Sequence, residues 1–127
     1  MEQKLYDTVT DCPVIAAIKD DAGLERCLDS DIQIVFVLYG DIVSIPEIVD
    51  RIKKKGKLAM VHADLISGLA GKEIAIDFLK RNTQADGIIS TKLSFIKRAK
   101  ELGMATVFRF FVIDSMAFDN IQKQYEA

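Results

Sequence analysis

The chain has few of the residues that build metal centres and disulfide frameworks, and it has no long hydrophobic run. Its 127 residues include one histidine, two cysteines, two prolines and no tryptophan. One imidazole and two separated thiols, Cys12 and Cys27, do not have the spacing of metal ligands or of a secreted disulfide scaffold. No apolar run approaches the roughly 18 residues of a membrane span. The polar start "MEQKLYD" also lacks the apolar core of a signal peptide. These absences favour a cytoplasmic globular protein with no metal and no membrane partner.

An excess of charge of one sign is also missing. The formal net charge of −2 provides no overall basic field that would attract nucleic acid or an anionic membrane. Hydrophobic residues make up 50% of the chain and charged residues 28%, which is typical of a folded domain rather than a disordered one. At this length we predict a single α/β domain over residues 1–127.

The chain does contain five short apolar runs rich in Val, Ile and Phe. Because the apolar residues are continuous rather than alternating, the runs are typical of parallel strands covered on both faces. The predicted strands are residues 13–18, 32–38, 58–63, 87–90 and 104–111. Each is followed by a segment with helical spacing, which gives repeated βα units. This order fits both an open doubly wound sheet and part of a (β/α)₈ barrel.

The helical segments have recognisable ends and apolar stripes. Ser44 and Glu47 have the spacing of a capping box, and Gly56 stands where a C-terminal cap belongs. The next two helices are predicted to bury one stripe each, formed by Ile74, Ala75, Phe78 and Leu79, and by Ile96, Ala99 and Leu102. A short first helix near residues 22–29 and a weaker last helix over 115–125 complete the prediction.

Polar residues gather where the predicted strands end, which is the edge at which both architectures bind ligands. The candidate ligand-binding residues are His62, Asp64, Ser90, Thr91, Lys92, Arg109 and Asp114. Each also has a structural interpretation, because short polar residues cap turns and helices, and an arginine among apolar residues can close an ion pair. Their occurrence together, at the ends of successive strands, favours a site for a small polar ligand.

The best-known catalytic motifs are absent. No phosphate-binding loop and no GxGxxG follow the first strand, and "SGLAG" lacks the spacing of a dinucleotide fingerprint. No serine stands in a nucleophile elbow. Catalysis is therefore not indicated by motif, although a site at the strand ends would also suit an enzyme.

Three segments resemble a known family. "PVIAAIKD", "MVHADLISGLAG" and "ADGIISTKLSFIKRAKELGMATVFRFFVIDS" are similar to the bacterial glycerol 3-phosphate-responsive antiterminators, from about residue 10 to the end of the chain. The resemblance implies a (β/α)₈ barrel, here a partial barrel of about five βα units. It implies no catalysis and no cofactor. It also implies that six of the candidate residues match polar strand-end motifs of the family: His62, Asp64, Ser90, Thr91, Arg109 and Asp114.

The resemblance implies a regulator that senses glycerol 3-phosphate as effector and binds leader mRNA of glycerol-utilisation genes, so that transcription continues past a terminator. The alternative is a barrel enzyme of isomerase or aldolase type acting on a small sugar phosphate. In that case His62 would be the acid or base, assisted by Lys92 or Asp64. The basic segments 51–57 and 92–100 are explained as solvated helix faces without nucleic acid.

The sequence ends after five units, where the resemblance implies three more strands. We expect a fragment, a truncated gene product or an open five-stranded form. Its exposed edge at strand 5 would allow self-association. The phosphate-binding loops of such barrels follow strands 7 and 8. We therefore expect the 127-residue chain by itself to show no specific response to glycerol 3-phosphate, with millimolar binding or none.

Overall fold

The computed structural model of the protein describes residues 15–109, which form five strands and four helices in strict alternation. The strands are β1 (Ile15–Ile18), β2 (Ile34–Val37), β3 (Leu58–His62), β4 (Gly87–Ser90) and β5 (Ala105–Phe108). The helices are α1 (Asp21–Leu28), α2 (Ile45–Lys54), α3 (Ile74–Asn82) and α4 (Leu93–Glu101), and a short 3₁₀ turn covers Ala63–Leu65 after β3. The predicted last helix, residues 115–125, lies outside the described residues.

The strands form one parallel sheet in the order β1-β2-β3-β4-β5. A doubly wound sheet would reverse its order at a switch point, whereas a barrel keeps sequential order. The sequential order therefore confirms the α/β fold class and the arc of a partial (β/α) barrel. At the edges of this arc are β1 and β5, and self-association through β5 stays a prediction.

The observed strands are slightly shorter than predicted. The first begins at Ile15 and the fifth ends at Phe108, and the remaining predicted residues 13–14 and 110–111 lie outside the described range. The third strand ends at His62 because the chain turns into the 3₁₀ turn directly after it. The ladder nevertheless continues by single bonds beyond β2 and β5, where Leu38 N–H donates to the Ile18 carbonyl and Arg109 N–H to the Ser90 carbonyl.

The main core lies between the sheet and the helices, and the concave face of the sheet carries a smaller apolar cluster. Side chains of a strand alternate between faces, so Val61 and Ile88 pack in the main core with Phe95 of α4. The smaller cluster consists of Met60, Ile89 and Ala105, with Phe36 and Val107 packed against it. The helices therefore cover one face, and the other face remains open to a ligand.

Two helix predictions are wrong in detail. Ser44 begins α2 but makes no capping hydrogen bond from its side chain. Its hydroxyl instead accepts from the N–H of Asp41, and the Asp41 carboxylate accepts from the N–H groups of residues 43 and 44. In α3 the predicted stripe residue Ile74 is 62% exposed, whereas Ile76 is fully buried. The buried side chains of α3 are Ala75, Ile76 and Leu79, so the stripe is rotated away from Ile74 toward Ile76.

The amino-terminal edge of the sheet is held by buried charges. The Asp86 carboxylate accepts from Lys53 Nζ at 2.7 Å and from the N–H of Ala59 at 2.8 Å, and Asp86 is 3% exposed. Lys57, 4% exposed, donates from Nζ to the carbonyls of Ser30 and Ile32. Because these donors and acceptors satisfy one another, these buried charges hold the sheet together rather than bind a ligand.

Candidate functional site

The site is built at the carboxyl-terminal edge of the sheet, where β3, β4 and β5 end next to one another. All five residues of β3 are buried, and its last residue, His62, is only 2% exposed. Ser90, the last residue of β4, is fully buried. Arg109 follows β5 directly and is exposed. The sequential strand order thus places three of the predicted residues at adjacent strand ends.

The Asp64 carboxylate connects the end of β3 to the end of β4. Its Oδ1 accepts from the Ser90 hydroxyl at 2.8 Å, and its Oδ2 accepts from the Thr91 N–H at 2.8 Å and the Thr91 hydroxyl at 2.6 Å. Ser90 Oγ in turn accepts from the N–H of Lys92 at 2.9 Å. Both carboxylate oxygens are therefore engaged, and the network fixes the backbone of the β4–α4 loop.

Burial and hydrogen bonding shift the pKa of the Asp64 carboxyl group in opposite directions, and hydrogen bonding has the larger combined effect. Burial by itself raises the pKa of Asp64, but the hydrogen bonds from Thr91 and Ser90, together with the neighbouring His62, bring the pKa below its ordinary value. Asp64 is therefore ionised at neutral pH. Its role in the described structure is to position the loop.

His62 is a buried imidazole beside this network. Its Nδ1 is buried and has no hydrogen-bond partner within residues 15–109. Burial lowers the pKa of His62 below its ordinary value, and Arg109 lowers it further, while Asp64 acts in the opposite direction. The ring is therefore neutral at pH 7, and one of its polar atoms lacks the partner that buried polar groups usually have.

A cavity of about 460 Å³ opens on the concave side of the sheet at this edge. Its lining residues come from all five strands and from the positions that follow β2 and β5: Ala17, Phe36, Leu38, His62, Ile89, Val107, Phe108 and Arg109. The walls are mainly apolar, and an imidazole and a guanidinium supply the polar groups. This combination is typical of a site for a small ligand with an anionic end.

The predicted site residues fall into three sets. His62 and Arg109 line the cavity, whereas Asp64 is engaged with Ser90 and Thr91 at the rim. Lys92 extends away from the cavity, because its Nζ lies 4.8 Å above the ring centroid of Phe95 and next to Gly71. Asp114 lies outside the described residues. Ligand binding by these seven residues stays a prediction.

The apolar floor of the cavity was missed in the sequence. Phe36, Ile89 and Val107 look like ordinary core residues in continuous apolar runs. Every second residue of a strand faces the same side of the sheet. Counting back in steps of two from His62 and Arg109 would therefore have identified strand residues on the cavity side. Val107 and Arg109 are related in this way, as are Met60 and His62.

Within the described residues, His, Cys, Asp and Glu side chains do not gather in the groups of three that a metal ion would need. In the same range, no helix is long and apolar enough to cross a lipid bilayer.

The chain is similar to a group of regulatory proteins. Residues 14–127 match the family described as glycerol-3-phosphate responsive antiterminator. A crystal structure of a glycerol uptake operon antiterminator regulatory protein from Listeria monocytogenes superimposes with a TM-score of 0.80 at 34% identity, covering 86% of this chain. An antiterminator-related protein from Thermotoga maritima gives a TM-score of 0.79 at 35% identity, covering 88% of this chain.

A curated relative has no established role. It is the uncharacterized protein YgcP of Escherichia coli (strain K12), 51% identical over 112 residues, which are 88% of this chain. The chain spans 59% of the length of YgcP and 61% and 63% of the Listeria and Thermotoga proteins.

The fold is the arc of a partial (β/α) barrel, with an imidazole and a guanidinium in a cavity at the strand ends. The chain belongs to the glycerol-3-phosphate responsive antiterminator family.

Proposed function

We propose that this chain forms the glycerol 3-phosphate-sensing part of a cytoplasmic regulator of transcription antitermination that acts on leader mRNA. The observation that carries the proposal is the family match over residues 14–127, together with a strand-end cavity lined by His62 and Arg109. The named neighbours from Listeria and Thermotoga support a regulatory role.

The two polar side chains of the cavity complement the two ends of glycerol 3-phosphate, which are a phosphate and a pair of hydroxyls. A guanidinium presents several N–H donors in the geometry that phosphate oxygens accept, so Arg109 is the proposed phosphate contact. A neutral imidazole can exchange hydrogen bonds with a hydroxyl, so His62 is the proposed contact for the glycerol end. Asp64 with Ser90 and Thr91 is proposed to hold the rim in place rather than to touch the phosphate, since a carboxylate would repel it.

The alternative of a sugar-phosphate isomerase or aldolase is supported less well. Proton transfer on a substrate needs an acid or base within hydrogen-bond reach of the reacting atom, and a second group to complete the reaction. His62 is the only residue with an ordinary pKa near neutrality among those that line the cavity. The proposed assistants are engaged elsewhere, Asp64 with Ser90 and Thr91, and Lys92 above Phe95.

The proposal is tested by titrating the ¹⁵N-labelled 127-residue chain with glycerol 3-phosphate and following backbone amide shifts by NMR, which detects millimolar binding. We expect the shifts to cluster at the ends of β3, β4 and β5. Arg109→Gln removes a charge-assisted contact worth about 1.5–3 kcal/mol and should weaken binding about 10- to 100-fold. Lys72→Gln is the matched control, because Lys72 is an exposed cation before α3 that does not line the cavity.

Three results would contradict the proposal. The first is a set of shifts that lies away from the strand ends, and the second is an equal effect of Arg109→Gln and Lys72→Gln. The third is equal binding of inorganic phosphate and glycerol 3-phosphate, which would remove the role of the glycerol end. Turnover of a sugar phosphate by the chain would favour the enzyme instead.

A further inference from the structure

We propose that the amino-terminal edge of the sheet, opposite the ligand cavity, carries the surface that binds the phosphate backbone of RNA. This surface, here called the basic edge, is formed by Lys55, Lys80, Arg81, Lys97 and Lys100. The inference rests on the proposed function, which supplies RNA as the partner. It adds where on the molecule the RNA binds.

The fold brings these five cations to one side of the molecule. In a βα unit the helix returns antiparallel to its strand, so the C-terminal halves of α2, α3 and α4 lie toward the amino-terminal edge. The strands β2, β3 and β4 are neighbours in the sheet, so the helices that follow them are neighbours too. Of these, α3 and α4 pack directly against each other. Residues distant in sequence therefore share one surface.

The cations of the basic edge are exposed, and within residues 15–109 none of them has an acidic partner within 4.0 Å. Other cations of the same helices are neutralised: Arg51 pairs with Glu25, Lys53 with Asp86, Lys54 with Asp50 and Arg98 with Asp77. The difference between paired and unpaired cations affects phosphate binding, because a paired cation would first have to give up its carboxylate partner. The basic edge holds cations that are available.

Helix stability does not account for the whole set. Basic residues in the last turn of a helix interact favourably with its dipole, which is sufficient reason for Lys80 and Arg81. Lys97 lies in the middle of α4, one turn before Lys100, and Lys55 lies just beyond α2. Lys100 is in the last turn of α4 and Lys55 is the C-cap residue of α2, so both also gain from the dipole, and Lys97 is the position of the basic edge that helix ends do not account for.

The opposite edge has mixed charge, because acidic side chains stand there beside the cations Lys19, Lys72, Lys92 and Arg109. The loops and first helical turns at the carboxyl-terminal edge carry acidic side chains at Asp20, Asp21, Asp41, Glu47 and Glu73. A polyanion meets both signs of charge at that edge, whereas the exposed cations of the basic edge attract it. The two proposed partners therefore bind at opposite edges without competing.

The test measures RNA binding by the 127-residue chain with a fluorescein-labelled RNA hairpin of mixed sequence that has single-stranded flanks. Electrostatic contacts to phosphates do not depend on sequence, so this probe is adequate for the surface. For single strands each lost phosphate contact lowers the salt slope by about 0.7, which is about fivefold in affinity near 0.1 M salt. The Lys80→Gln/Arg81→Gln variant should therefore bind about 25-fold more weakly, with a slope reduced by about 1.4.

The matched control is Lys19→Gln/Lys72→Gln, which removes two exposed cations from the carboxyl-terminal edge. We expect RNA affinity within about twofold of the unsubstituted chain, since no phosphate contact is lost. Circular dichroism and thermal unfolding of both variants verify that the fold is intact, which is expected because all four residues are exposed.

The outcomes separate this inference from the function on which it rests. RNA binding that is equally weakened by both double variants, or weakened only by the control, would overturn the basic edge while leaving RNA as partner. Equal binding of a polyglutamate peptide, with the same dependence on Lys80 and Arg81, would make the surface a protein-docking site and overturn the assignment. No RNA binding by the unsubstituted chain would overturn both proposals.

Discussion

The Asp64→Ala substitution tests whether the strand-end network is as important for the fold as its geometry indicates. It removes the acceptor of three hydrogen bonds, from the hydroxyls of Ser90 and Thr91 and from the Thr91 N–H. Ser90 is fully buried, so its hydroxyl would lose its acceptor without replacement by water, which costs about 1–3 kcal/mol. Thr91 is exposed, and water can take over its two bonds at a smaller cost.

We therefore expect Asp64→Ala to lower the free energy of unfolding by about 2–4 kcal/mol at pH 7. Urea denaturation measures this as a lower midpoint with an unchanged slope, because the surface exposed on unfolding is the same. Thr91→Val is the graded control, since it removes one hydroxyl donor and keeps the N–H. It should cost about 0.5–1.5 kcal/mol.

The pH dependence of the same measurement gives a second readout. The pKa of Asp64 is lowered in the folded protein, so its stabilisation is present above the ordinary value of 3.8 and is lost as the pH falls through the lowered value. The difference between the parent chain and Asp64→Ala should therefore shrink in acid. A variant as stable as the parent to within about 0.5 kcal/mol at pH 7 would refute the structural role of the network.

Three further predictions concern other residues of the sheet. Because burial lowers the pKa of His62, protonation opposes folding, so the His62 contribution to stability should improve as the pH rises from the lowered value toward 6.5. The prediction would be wrong if the free energy of unfolding of the parent chain did not change across this pH range. It would also be wrong if His62→Phe showed the same pH dependence as the parent chain. Gly87→Ala would place a Cβ 2.2 Å from the Ala105 carbonyl oxygen, so we expect a loss of about 3 kcal/mol or more in urea unfolding. Gly103→Asn, at φ +76 with open space around it, is the tolerated comparison, and equal losses would contradict the close approach of β4 and β5. Asp86→Ala leaves Lys53 and the buried Ala59 N–H without their acceptor and should cost about 3–5 kcal/mol. A thermal midpoint unchanged from the parent would show that the amino-terminal edge is not held by this charge.

The fold could be predicted from the sequence because it depends on patterns within short segments. Continuous apolar runs separated by helical spacing define β1 to β5 and their order, and the resemblance chose the barrel over the doubly wound sheet. The capping prediction at Ser44 failed because the Ser44 hydroxyl accepts from the Asp41 N–H rather than from the N–H of Glu47. The Asp41 carboxylate also accepts from the Ser44 N–H, which the Glu47 side chain would have capped. The predicted stripe in α3 was wrong at one position, because the rotation of the helix against the sheet buries Ile76 and exposes Ile74. Sequence spacing does not fix that rotation.

The candidate site could be predicted only in part. The rule that parallel strands end at one edge brought His62 and Arg109 to the same cavity. The partners of Asp64 depend on how β3 and β4 align, since Ser90 and Thr91 are 26 and 27 residues away in sequence. The direction of the Lys92 side chain depends on Phe95, one helical turn later, which sequence spacing does not fix. Contacts between neighbouring strands and within a turn therefore limit the sequence prediction.

The most direct test of the central claim uses the histidine ring itself. His62 is the only histidine in the chain, so its imidazole ¹⁵N and ¹H signals are assigned without ambiguity. If glycerol 3-phosphate binds in the strand-end cavity, these signals shift and saturate as the ligand is added at pH 7. A mixture of glycerol and inorganic phosphate at the same concentrations then shifts them far less. Ring signals that stay unchanged while amides elsewhere shift would place the ligand outside the cavity and contradict the account.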